Sequence, residues 1–213
     1  YAIPDLIGGN VGDSNHDERS QGFRKRFEEL GGKVLDEARC SDASEATTKA
    51  GDMLSANRDA DCVFAFVGDY VPGSLTAKEQ LGLDDLKIYV ANVDADSAEL
   101  IKDGTIQGGT DGTTMPPMIG AALIVNYLDG TPLFDEDGKA AHFQTTPIAV
   151  DQENVDLYIE VFCTEGRMPI ADSLFQSMMT RFNPDCDYES FSKIISEGLT
   201  LEALAEAHGI EVK

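Results

Sequence analysis

Positive charge is scarce in this chain, and the short motifs of the commoner enzyme classes are missing. Sixteen Lys and Arg stand against 39 Asp and Glu in 213 residues, a formal net charge of −23. Such a field repels nucleic-acid phosphates and anionic lipid surfaces. The densest basic run, Arg24-Lys25-Arg26, falls on the solvent side of an expected helix, so the sequence argues against nucleic-acid binding. No apolar run approaches the roughly eighteen residues of a membrane-spanning helix. There is no Walker sequence and no G-x-S-x-G elbow. Gly8-Gly9-Asn10-Val11-Gly12 is glycine-rich, but it lacks the G-x-G-x-x-G spacing of a dinucleotide loop and the acid about 20 residues further on. His16, His142 and His208 are scattered without metal-ligand spacing. Asp5 alone does not make the acidic pair that a phosphoacceptor site needs. The expectation is a protein that is not an enzyme and holds neither cofactor nor metal.

Four cysteines, Cys40, Cys62, Cys163 and Cys186, show no C-x-x-C spacing, which sets aside zinc and thioredoxin-like readings. Cys40 closes one expected strand and Cys62 opens the next parallel one. That places them at opposite ends of the sheet, beyond the roughly 4.4 to 6.8 Å Cα separation of a disulfide. Cys163 and Cys186 can be thiols or a pair.

What is present is a regular alternation of strand and helix. Leu6-Ile7 leads into a helix over Asp17 to Leu30, where Phe23, Phe27 and Leu30 recur at i, i+4 and i+7 and Gly31-Gly32 closes the run. Lys33 to Ala38 is the next strand, and Asp42-x-x-Glu45 is a capping box for a helix to about Ala56. Cys62 to Val67 and Ile88 to Val93 are short continuous apolar runs, as strands buried on both faces should be. Pro72 suits the first turn of the intervening helix. Ser97 to Lys102 is a short helix ending at Gly104, followed by a strand over Thr105 to Gly108. The alternation implies a parallel sheet of about five strands in flavodoxin-like order, with helices on both faces. In such sheets ligands bind beyond the carboxyl ends of the strands, which selects the loops at Gly9 to Arg19, Gly68 to Tyr70, Asn92 to Asp96 and Thr110 to Thr114.

After Asp129-Gly130 the character changes. Phe134 to His142 is polar and loop-like, and Thr146 to Phe162 begins as a strand and turns helical at Val155, Tyr158, Ile159 and Phe162. Two amphipathic helices follow, one carrying Leu174, Phe175, Met178, Met179 and Phe182, the other Phe191, Ile194, Ile195, Leu199, Leu201 and Leu204. Asn183-Pro184-Asp185 separates them, with Asp187 or Ser190 as the cap.

One residue is out of place on electrostatic grounds. Arg19 lies in the first turn of its helix, where a cation is disfavoured by about 0.3 to 1 kcal/mol. Either Asp13, Asp17 and Glu18 offset it, or it has a task there.

Four blocks taken in order resemble the C-terminal lobe of type I periplasmic sugar-binding proteins and the related effector domains of LacI-type repressors. They are Arg19-Ser20-Gln21-Gly22-Phe23, Cys62 to Leu75, Ile88 to Ile106 and Met118 to Leu133. The resemblance implies that Arg19 hydrogen-bonds a ligand's hydroxyls in an interlobe cleft, the alternative being a surface arginine paired to Asp17 or Glu18. It brings in the preceding polar loop, Asp13, Ser14, Asn15 and His16, for which ordinary helix capping by Ser14 or Asn15 is the competing role. It assigns a polar contact to Asp69 and a ring stacked on a sugar face to Tyr70, although the family's common asparagine aligns nearer Val67-Gly68. Asn92 and Asp94 correspond to a strand-end aspartate, Asp94 also being a candidate helix cap. Thr114 stands where the family frequently has glutamine.

The resemblance further implies a lobe over residues 1–114, a hinge, helix and crossover over 115–146, and a crossover strand with a helical extension over 147–213. The family's first lobe would lie outside this chain. The function implied is solute binding, without chemistry, for an ABC importer of a sugar or sugar-like molecule. An extracytoplasmic sensor or repressor-type effector module is the alternative. A permease of the importer is the implied partner, in an extracytoplasmic setting with a lipid anchor outside the chain. Met118 to Leu128 is apolar nearly all round, as a buried helix should be, so Ile119, Leu123, Ile124 and Tyr127 are expected to be covered by the extension's Leu174, Phe175 and Phe182 face or by a second copy of the chain.

Overall fold

A computed structural model describes residues 2–8 and 12–212, with side chains at 12–14 and 16–212. It contains a six-stranded sheet in the order β2-β1-β3-β4-β5-β6. The strands are β1 (Ala2–Gly8), β2 (Lys33–Cys40), β3 (Cys62–Ala65), β4 (Lys87–Ala91), β5 (Gly108–Asp111) and β6 (Ile148–Val150). β1 pairs in parallel with β2, from Ala2 opposite Lys33 to Gly8 opposite Cys40, and with β3 through Asp5 opposite Phe64. The β1–β2 register slips between Ile3 and Pro4, where proline lacks the amide that a regular ladder uses. Cys62 stands opposite Lys87, and Tyr89 opposite Gly108. The expected parallel α/β architecture, with order 2-1-3-4-5, is the one observed.

Helix α1 (Ser14–Glu29) begins three residues before the expected start at Asp17, which places Arg19 in its second turn and not in its first. Asp13 starts it by accepting the His16 amide at 3.3 Å, so Ser14 and Asn15 lie inside the first turn and do not cap it. Phe23 then stacks on Phe27 and on Phe64 of β3, with centroids at 5.7 and 4.4 Å. This seats the helix on one face of the sheet.

Helix α2 (Ala43–Ala56) is capped by Asp42, whose Oδ1 accepts the Glu45 amide at 2.8 Å. Glu45 does not return to Asp42 as an ideal box would; its carboxylate takes the Ser41 amide at 2.8 Å. Helix α3 (Val71–Leu81) carries Pro72 in its first turn. It packs so closely on α2 that a β-carbon on Gly73 would lie 2.7 Å from Thr47 Cα. Helix α4 (Ala95–Lys102) ends at the Gly104 turn. Strand β5 starts later than the expected Thr105, because the Ile106 amide closes onto Leu100 O at 3.1 Å and sheet pairing resumes only beyond it.

All four cysteines are free, so the pair left open between Cys163 and Cys186 is not formed. Burial pushes the Cys40 and Cys186 thiols above their ordinary value, which keeps them protonated and unreactive.

The chain divides into two compact units, residues 1–110 with 150–152, and residues 111–149 with 153–213. The first holds the sheet and α1 to α4. The second is built from helix α5 (Pro116–Leu128), α6 (Val155–Tyr158) continuing into a π-turn over Ile159–Cys163, α7 (Asp172–Ser177), α8 (Tyr188–Glu197) and α9 (Leu201–Ala207). Tyr158, Ile170, Met178, Phe191 and Leu204 form its core. The amphipathic run from Phe191 to Leu204 is two helices and not one, because Thr200 Oγ1 accepts the Ala203 amide at 3.2 Å and restarts the chain as α9. Both expected residues cap α8: Asp187 accepts the Ser190 amide at 2.8 Å, and Ser190 Oγ accepts the Asp187 amide at 2.9 Å.

Helix α5 buries Ile119, Ala122 and Asn126. Asn126 Nδ2 donates to Met178 O and its Oδ1 accepts the Thr180 amide, each at 2.9 Å. The extension therefore does meet α5, but through the Met178–Thr180 backbone. Phe182 is 57% exposed, and Ile124 and Tyr127 stay 61% and 70% exposed.

Candidate functional site: the carboxyl edge of the sheet

The carboxyl ends of β1, β3 and β4 carry the loops that the parallel topology selects for ligands. Residues 9–11, and the side chain of the candidate Asn15, lie outside the described residues. Arg19, one turn into α1, extends Nη1 to Phe66 O at 3.3 Å, just past the end of β3. Its guanidinium is half-buried, and desolvation pulls its pKa down from the ordinary value. No carboxylate pairs with it among the described residues. Asp17 is taken instead by Arg39 of β2, and Arg24 and Ser20 share Glu37 at 2.7 and 3.0 Å. In a chain of net charge −23, a half-buried cation whose one hydrogen bond among the described residues is to a backbone carbonyl has further N–H donors to offer.

Asp94 comes to the same strand end from β4. Its Oδ1 caps α4 by accepting the Ser97 amide at 2.8 Å, so the capping role considered for it is real. Its Oδ2 accepts no hydrogen bond among the described residues and lies directly over Gly68. A β-carbon at Gly68 would overlap that carboxylate, which is why glycine, and not the family's asparagine, stands at this turn. Asn92, immediately before, adopts φ +56°, the left-handed region, and is the only non-glycine residue to do so among those described. Asparagine tolerates this conformation better than most L-residues. It turns the chain sharply out of β4 and sets the Val93 amide on Thr110 O at 3.0 Å.

The other candidates separate. Asp69 is exposed in a short 3₁₀ turn over Gly68–Tyr70. Tyr70 is only 6% exposed and donates its hydroxyl to Cys40 O at 3.2 Å. A ring buried in this way has no free face for a sugar, so its assignment to stacking is corrected: Tyr70 anchors the β3 turn to the end of β2. Asp13 is exposed at the start of α1. Thr114 belongs to the second unit, where its Oγ1 donates to Asp111 Oδ2 at 2.8 Å.

Asp111 is a residue that the sequence reading passed over. It is 2% exposed, and its carboxylate collects the Thr113 and Thr114 amides at 3.1 and 3.4 Å and the Tyr158 hydroxyl at 3.1 Å. Asp-Gly-Thr-Thr carries the signal of an Asx turn, which could have marked it. Its partner Tyr158, 47 positions away, could not have been found locally.

The fold is an α/β lobe built on a largely parallel sheet. The chain belongs to the periplasmic binding protein domain family, whose sequence model matches residues 5–130. It is similar in fold to a periplasmic solute-binding protein of an ABC transporter from Actinobacillus succinogenes with bound D-allose, at 19% identity and a TM-score of 0.63 over 73% of this chain and 53% of that one. An arabinose-binding protein from Geobacillus stearothermophilus aligns at 19% identity and a TM-score of 0.62, over 73% and 55%. A solute-binding protein from Bacillus halodurans with bound myo-inositol aligns at 22% identity and 0.58, over 74% and 53%. The chain spans about half the length of these structures. No curated protein matches it.

Proposed function

We propose that this chain is the C-terminal-type lobe, with a helical extension, of an extracytoplasmic solute-binding protein that delivers a sugar or sugar-like polyol to an ABC permease without chemical change. The observation that carries this reading is the convergence of Arg19 and Asp94 on the Phe66–Gly68 strand end. A fork of N–H donors and a carboxylate oxygen that accepts no hydrogen bond among the described residues face one short stretch of backbone. That pairing suits vicinal hydroxyls, which donate and accept at once, and sites of this kind strongly reject analogues lacking the hydroxyl. The relatives' bound D-allose and myo-inositol are ligands of this chemistry. Asn92 and Asp69 complete the polar edge, and Asp13 contributes from the start of α1. Residues 1–114 act as the lobe, 115–146 as hinge and crossover, and 147–213 as the extension. A lipid anchor outside the chain fits the extracytoplasmic reading.

Calorimetry on the full-length protein carrying this chain, with D-allose, L-arabinose and myo-inositol, tests the assignment. Arg19→Ala should weaken binding of the best of these by about 1.5 to 3 kcal/mol, the range for hydrogen bonds to a charged group, with the melting temperature nearly unchanged. Asp94→Ser separates cap from ligand contact: serine still caps α4 but removes Oδ2, so affinity should fall while stability holds. Unchanged affinity in both variants rejects the site.

The exposed Ile124 and Tyr127 on α5 favour a second copy of the isolated chain as their cover. Light scattering on the chain with and without Leu123→Glu tests this, and a monomeric mass indifferent to the substitution removes the homodimer.

A further inference from the structure

A second surface lies in the second unit, almost entirely beyond the residues that the family model matches. Phe134, 53% exposed, is held rigidly at the base of a tight turn. It pairs with Ala140 as an isolated antiparallel bridge, and the Asp135 amide bonds Lys139 O at 2.9 Å. Asp135 Oδ1 takes the amides of Asp137 and Lys139 at 3.0 and 2.8 Å. Facing Phe134 is Tyr188, the first residue of α8. Its ring is backed by Phe143 at 5.3 Å, which in turn stacks on buried Phe191 at 4.7 Å.

Two cavities adjoin this aromatic pair. One, of about 880 Å³, is walled by Pro132, Leu133, Pro184 and Cys186. The other, of about 820 Å³, is bordered by Asp135, Glu136, Glu189 and Glu197. The cations nearby are engaged: Arg181 holds Asp129 through two bonds of 2.7 and 2.5 Å, Lys139 lies 3.3 Å from Asp137, and Lys193 lies 3.9 Å from Glu197. Glu136 and Glu189 enter no ion pair among the described residues. The groove is therefore mainly apolar on one side of Phe134 and Tyr188, where the Asp129–Arg181 pair also borders it, and mainly anionic on the other, where Lys193 faces Glu197.

We propose that this groove docks a basic, amphipathic segment of a partner protein, with one large apolar side chain beside Leu133 and Lys or Arg side chains over Glu136 and Glu189. Charge complementarity selects this occupant. A second copy of the chain would bring the same acids against each other, which like-charge repulsion disfavours. A neutral polyol would find mainly apolar walls, with the Arg181 donors spent on Asp129 and the Thr131 and Thr180 hydroxyls on each other. An exposed aromatic bordering two cavities, with acids beside it that a basic partner would complement, resembles an interaction hot spot.

Fluorescence anisotropy at roughly 150 mM salt, where diffuse attraction is screened beyond about 8 Å, tests the proposal. The probe is a labelled peptide of about twelve residues alternating leucine and lysine, long enough to lie in a groove. Its controls are leucine–glutamate and glycine–lysine peptides of the same length. The leucine–lysine peptide should bind, and the other two should bind at least about tenfold more weakly, a difference of about 1.4 kcal/mol. Phe134→Ala, which removes an exposed ring and no charge, should weaken binding by about tenfold or more. Glu136→Lys with Glu189→Lys should do the same, with circular dichroism confirming that both variants fold. Three results overturn the proposal: no binding of the leucine–lysine peptide, binding indifferent to Phe134→Ala, or equal binding of the glycine–lysine peptide, the last two indicating attraction to an acidic surface in general. A dimeric mass abolished by Phe134→Ala would assign the groove to a second copy and also overturn it.

Discussion

The two units bury different kinds of polar group. Among the described residues, the buried polar side chains of the first unit are the hydroxyls Ser20, Ser74 and Ser97, while those of the second are the carboxylate Asp111 and the amide Asn126. A parallel sheet satisfies its own backbone through the ladder, so its core needs only apolar side chains such as Ile88, Val90 and Phe66 to close the layers. Short helices joined by irregular segments leave carbonyls and amides that no ladder reaches. Asn126 takes Met178 O, the Thr180 amide and the Thr180 hydroxyl, and Asp111 takes two threonine amides and the Tyr158 hydroxyl. The first unit is thus held by burial of area, and the second also by a few fully satisfied polar residues, whose loss is costly because the partner groups stay buried.

This contrast can be broken by substitution. Asn126→Leu preserves bulk but orphans Met178 O and the Thr180 amide, and it should destabilise by about 2 to 4 kcal/mol in urea unfolding, with hydrogen exchange accelerating first at Thr180. In the sheet, Ile88→Val trims a fully buried side chain and should cost only about 0.5 to 1.5 kcal/mol; a larger loss than for Asn126→Leu would reverse the contrast. Gly22 sits inside α1 with nothing within 4 Å of where a β-carbon would stand. Gly22→Ala should therefore stabilise by about 0.5 to 1 kcal/mol, and a lower melting temperature would mean that something occupies that space.

The smallest effect concerns pH. Hydrogen bonds, from Lys49 first and then from Ser41, lower the Glu45 carboxyl from 4.5 to about 2. A depressed folded-state pKa stabilises above the unfolded value and ceases to do so as pH falls through the folded one. The stability difference between Glu45→Gln and the parent should thus be constant above about pH 5 and shrink towards zero near pH 2, measured by urea unfolding across that range. A difference that persists at pH 2 would show that Gln disturbs packing and not charge.

Much of the first unit was legible because its signals are local. Apolar runs at Cys62 and Ile88, the Asp42 cap and the Gly31-Gly32 stop each depend on residues within a turn or two, and the structure places strands and helices there. The α8–α9 break was missed because the apolar stripe runs across it, whereas the interruption comes from the Thr200 cap. At the site, Arg19 stood out because the expected helix start at Asp17 put it at the positive end; α1 begins at Ser14 and places it in the second turn, so the electrostatic argument falls away and the resemblance alone marked it. The burial of Tyr70 did not stand out, since Tyr-Val-Pro in a ligand loop reads the same whether the ring turns outward or in.

Sequence alone determined the α/β order, the parallel sheet, and the absence of a disulfide between Cys40 and Cys62. These follow from periodicity, capping and charge, all of which act over a few residues. Tertiary structure decided that Asp17 pairs with Arg39 and not with Arg19, that Asp94 spends one oxygen on its own helix and holds the other over Gly68, and that Asp111 meets Tyr158 47 positions away. Those outcomes depend on strand register and on how closely neighbouring segments approach, and such distances are fixed only once the layers have packed.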